Sequence, residues 1–134
     1  MWCLVGALLA LTPTGPAPAA ASERCAGAQT TLAIKECLGR LLEQSDRSLE
    51  RELLGVAEAI RRYSSDPIAS VWPSFATRQF GTADPSVRLK AFQRERLRTC
   101  QYVNALSLQG SGFGLFVMTC ELDINEALLR QFRP

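Results

Sequence analysis

Cys25, Cys37, Cys100 and Cys120 are the residues of this chain best equipped for chemistry, and three uses of four thiols compete: disulfides, a zinc site or nucleophiles. Cysteine-based zinc sites are usually built on a C-x₂₋₄-C half-site, and the long, unequal spacings here supply none. Disulfide use removes thiol catalysis as well, because an oxidised sulfur is no longer a nucleophile. The chain has no histidine, which excludes a histidine-based triad and histidine metal ligands. Paired carboxylates such as Glu43 and Asp46 share one helical face, but they stand among arginines and read as solvated ion pairs. The expectation is a binding protein, not an enzyme, with no cofactor and no metal.

The elements that must position these residues are helical. From Thr31 to about Tyr63, Ile34, Leu38, Leu41, Leu49, Leu53, Val56 and Ile60 recur at the helical period, with Thr30 or Thr31 as N-cap and Gly55 as a point of local weakness. Residues 63–84 read as a connector: Pro67 and Pro73 exclude a continuous helix, although a short helical turn can start at Asp66-Pro67. Its apolar side chains, Trp72 and Phe75 among them, suit packing onto the domain or docking a partner protein. Asp84-Pro85 opens a second helix with Leu89, Phe92, Arg96, Cys100, Val103 and Leu106 on one side. After the turn Gly110-Ser111-Gly112, a third helix starts near Phe113, with Phe116 or Val117, Cys120, Ile124, Leu128 and Phe132 inward.

Two antiparallel helices joined at that glycine turn bring Cys100 and Cys120, equidistant from it, into register. Cys25 and Cys37 lie roughly 18 Å apart on one straight helix, and a disulfide needs Cα atoms about 4.4–6.8 Å apart. They pair only if Ala26-Gly27-Ala28-Gln29 folds back along the first turns. The favoured pairing is Cys25 with Cys37 and Cys100 with Cys120, while cross-pairings that tie the first helix to the hairpin remain open. The fold class expected is all-α: a small three- to four-helix domain made of a long first helix and a disulfide-stapled helical hairpin.

At 134 residues the chain has room for one ordinary domain. The apolar run Trp2 to Leu11, broken at Pro13 and followed by Ala19-Ala20-Ala21, reads as a signal peptide over 1–21, leaving a single domain over 22–134. The run lacks a preceding Lys or Arg, and it is too short to span a bilayer, for which about 20 apolar residues are needed. A periplasmic or secreted location without stable membrane insertion follows as the expectation. Fifteen basic and thirteen acidic residues give a net charge of +2. The cluster between Arg88 and Arg98 reads as the wet side of a helix, since no aromatic residues interleave with it to stack on nucleic acid.

The pattern as a whole resembles the N-terminal domain family of the lysozyme inhibitor LprI, whose members are small exported domains. The likeness is carried by Cys25, the cap Thr30-Thr31, Cys37, Asp46-Arg47-Ser48-Leu49, the set Phe92, Arg96 and Cys100 at steps of four, the glycine turn and Cys120. Phe92 stands where the family usually has Trp, Leu128 where it often has Arg, and Asn125 resembles in capping role the expected Thr. The resemblance implies structural polar roles for Asp46 and Arg96, since an inward arginine needs a carboxylate or carbonyl partner. It also implies binding to another protein, a lysozyme, with protection of peptidoglycan as the outcome. Glu121, Asp123 and Glu126 would then meet a basic enzyme surface. The alternative is a periplasmic adaptor or assembly protein that does not inhibit lysozyme.

Overall fold

A computed structural model describes residues 21–110 and 112–133; the expected leader, except for Ala21, lies outside the described residues. Among them the chain is all-helical: α1 (Ala21–Arg24), α2 (Thr31–Tyr63), α3 (Asp66–Phe80), α4 (Pro85–Val103) and α5 (Phe113–Leu129), with 3₁₀ turns at Ala105–Ser107 and Arg130–Phe132. Both long N-termini are capped as their sequences demand. The Thr30 hydroxyl accepts the Ala33 N–H at 3.1 Å, and the Asp84 carboxylate accepts the Ser86 N–H at 2.8 Å.

At 1.5 Å per residue α2 is roughly 50 Å long, and Gly55, exposed to solvent, does not interrupt it. α4 runs back along α2 and α5 returns beside both, so that α2, α4 and α5 pack pairwise. Leu38 and Leu49 on α2 are fully buried, and Leu38 joins Cys25 and Leu122 in a core cluster flanked by Ile34, Leu41 and Met118. The two disulfides are Cys25–Cys37, with Cα atoms 6.1 Å apart, and Cys100–Cys120, at 5.7 Å. The first forms because the chain turns back after α1, where the Ala28 N–H donates to the Cys25 carbonyl at 2.9 Å. Disulfides of this kind persist in oxidising compartments.

The connector expected over 63–84 is mostly a helix, which corrects the reading that its prolines forbid one. Pro67 falls in the first turn, where its missing N–H has no intrahelical partner to lose. Pro73 sits inside the helix and leaves the Ala69 carbonyl without its usual donor. Rings on either side of it are in contact: Trp72 lies 6.0 Å from Phe75 and 6.3 Å from Phe80 between centroids. α3 ends at Gly81, whose φ of 79° is the left-handed conformation that glycine adopts without a Cβ penalty.

A second correction concerns the end of α4. Val103, the last residue of the helix, is exposed, and Leu106 does not continue its buried side because the helix stops at Asn104, whose backbone N–H and side-chain amide both donate to the Cys100 carbonyl. The chain then leaves the helical path in a 3₁₀ turn, and Val103, Leu106 and Leu108 stand in solvent. On α5 it is Val117 that turns inward and Phe116 that is exposed.

Candidate functional site

Where α2, α4 and α5 meet, one turn of each contributes a polar side chain to an otherwise apolar seam. Arg96, 5% exposed, is on the same side of α4 as Leu89 and Cys100, so its guanidinium is carried into the interior by the helical period. Its Nη1 donates to Asp46 Oδ1 at 2.5 Å and to Asn125 Oδ1 at 2.6 Å, and its Nε donates to Glu121 Oε1 at 3.0 Å. Nη2 reaches the second Asp46 oxygen at 3.3 Å, so that the aspartate is gripped by two nitrogens. The Phe92 ring, one turn back on α4, covers the guanidinium with its centroid 5.5 Å from Cζ.

Asn125 closes the set. Its amide donates to Ser45 Oγ at 2.8 Å and to Asp46 Oδ1 at 2.7 Å, while the Ser45 hydroxyl donates to the Leu42 carbonyl at 2.8 Å. Among the described residues no buried side-chain nitrogen or oxygen lacks a partner. Burial by itself would push the Arg96 pKa down. The hydrogen bonds and charges of Asp46 and then Glu121 outweigh it and hold the value above the ordinary range, so the cation persists wherever the chain folds.

A second polar contact binds the N-terminus to α5: Arg24 of α1 pairs with Asp123, and with Glu126 at 2.5 Å. The Asp123 carboxyl is raised, first by burial, with the neighbouring Glu126 adding and Arg24 opposing. Because its folded value lies above the unfolded one, the stability linked to this carboxyl is fullest below the unfolded value and is lost as pH rises through the folded one.

The sequence-predicted residues therefore divide between interior and surface. Asp46, Arg96 and Glu121 meet in the seam; Glu121 faces Arg96, not solvent, and Asp123 is engaged by Arg24. Glu43 pairs with Arg47 in solvent at 3.0 Å and does not join Asp46 in the seam. Trp72 and Phe75 stack on α3, away from the seam. No group of three or more metal-binding side chains occurs among the described residues.

Ser45 and Arg24 are residues that motif reading missed, and Asn125 was read only as a cap. Ser45 lies on the Leu38 to Leu49 stripe, and Asn125 continues the steps of four from Val117 through Glu121, so periodicity carried a signal for both. Asn125 is completely buried inside α5 and binds across helices, which corrects its expected capping role. Apolar residues from α2, α3 and the start of α4, including Leu53, Val56, Ile60, Trp72 and Phe80, line a separate groove of about 170 Å³. No known protein family, curated protein or solved structure matches this chain.

Proposed function

We propose that this chain is an exported binding protein of the periplasm or the extracellular space, working through contact with another protein and not through catalysis. The observation that carries the reading is the division of labour in the fold. The interior carboxylates are bound by Arg96, whereas α3 presents Ile68, Val71, Phe75 and Phe80 to solvent beside the partly buried Trp72. Aromatic side chains held in fixed mutual geometry on an exposed helix are the usual anchors of a protein interface.

Lysozyme is the first partner to test, as the resemblance implies. Inhibition by micromolar wild-type protein is expected for that form, and unchanged activity across several lysozyme types retires it. A specific observation favours the adaptor reading: Glu121, Asp123 and Glu126, the carboxylates suited to a basic enzyme, are engaged by Arg96 and Arg24. In that case Trp72→Ala/Phe75→Ala is expected to abolish capture of a specific partner from envelope extract while leaving the unfolding midpoint near that of the wild type. Capture equal to that of the wild type would remove α3 as the docking face.

A further inference from the structure

The loop between α4 and α5 has a composition unlike the rest of the domain. From Thr99 to Cys120 no residue carries a charge, although 28 of the 134 residues are charged. The described part of this stretch forms a tip closed at its base by Cys100–Cys120. At its apex the 3₁₀ turn Ala105–Ser107 presents Leu106 at 103% exposure, with Val103, Leu108 and Phe116 exposed nearby and Tyr102 83% exposed at the end of α4.

Beneath the tip, Lys90, Arg94, Arg98 and Tyr102 follow one another at steps of four along the exposed side of α4, opposite Leu89, Arg96 and Cys100. Arg98 pairs with Glu95 at 2.8 Å; Lys90 and Arg94 carry no ion pair among the described residues. Apolar apex, tyrosine, then a row of cations is the order of a bilayer surface met from within: hydrocarbon, interface, headgroup phosphates.

We propose that the α4–α5 tip docks reversibly on a lipid bilayer surface bearing anionic headgroups, with Leu106 and its apolar neighbours entering the interface and Arg94, about 12 Å below Tyr102 along α4, as the nearest unpaired cation toward the phosphates. Two features favour lipid over a protein cleft. A convex knob needs a matching cavity in a protein but none in a deformable lipid phase, and the charge-free tip enters that phase without desolvating an ion. The contact is peripheral, and no helix among the described residues is long and apolar enough to cross a membrane. The tip lies at the other end of α4 from α3, so this inference does not depend on the docking role given to the aromatic residues.

The test is sedimentation of the protein with phosphatidylglycerol–phosphatidylcholine vesicles. Leu106→Asp is expected to lower binding at least about tenfold, since it withdraws a leucine from the interface and adds an ion. Because Leu106 is fully exposed, helicity and the unfolding midpoint of that variant are expected to match the wild type. Arg94→Gln is expected to lower binding about fivefold on anionic vesicles, with no change on phosphatidylcholine alone. Absence of wild-type binding at millimolar lipid overturns the proposal. So does a Leu106→Asp variant that binds like the wild type, or a tip-dependent interaction found only with a protein.

Discussion

Arg96→Ala is expected to destabilise the fold by about 3–5 kcal/mol, the usual effect of removing one partner from a buried ionic set. The loss does not come from the contacts of one side chain alone. Without the guanidinium, Asp46 and Glu121 remain as carboxylates of like charge in the seam, and the Asn125 carbonyl loses its donor. Against a total stability of about 5–15 kcal/mol typical of small domains, such a change brings the chain close to unfolding at ambient temperature. Arg96→Lys is expected to recover only part of it. A single ammonium cannot reproduce the two-nitrogen grip on Asp46 together with the separate bond to Glu121. Urea denaturation monitored by helical signal measures both variants, and a loss below about 1 kcal/mol for Arg96→Ala would show that the seam is not organised by its charge.

The second large effect is expected from Cys100→Ala/Cys120→Ala. The bridge closes a loop with a sequence separation of 20, and chain entropy assigns a loop of that length about 3 kcal/mol. Cys100 is fully buried, so truncating its sulfur adds a packing loss to the entropic one. The Cys25–Cys37 bridge spans only 12 residues and has help from Arg24, which independently fastens α1 to α5. Removing it is therefore expected to fray the N-terminus first, while removing Cys100–Cys120 opens the hairpin that holds Arg96 and Glu121 together. Thermal melts rank the two double variants, and limited proteolysis between 103 and 110 is expected to accelerate only in the second. Equal protection of that segment in both would show that the tip is held by packing alone.

Much of the frame was legible because its signals are local. The bounds of α2 follow from Thr30 and the apolar period, the start of α4 from Asp84-Pro85, and the start of α5 from the glycine turn. α3 was hidden because Pro73 reads as a helix breaker one residue at a time, whereas the tilted and edge-on contacts among Trp72, Phe75 and Phe80 join residues on both sides of it. Leu106 was misplaced for the complementary reason. Its spacing from Val103 continues the helical period, but the helix ends first at Asn104, whose side-chain amide caps the Cys100 carbonyl.

The candidate seam was half legible. Arg96 on an apolar side required a carboxylate or carbonyl partner, and Asp46 stood out as a polar residue with a structural role, but nothing in the sequence joined the two. Glu121 and Asp123 read as surface acids, because a sequence of alternating polar and apolar residues on α5 does not say which carboxylate faces a buried cation. By itself the sequence determined α2, α4 and α5, the oxidisable cysteines and the need for a counterion at position 96, since periodicity, capping and the cost of a buried charge act within a few residues. Only the tertiary structure decided that Asp46, Glu121 and Asn125 are that counterion set, that Arg24 fastens α1 to α5, and that the α4–α5 tip is left in solvent. Those outcomes depend on the register of three helices, which is fixed by contacts between residues distant in the chain.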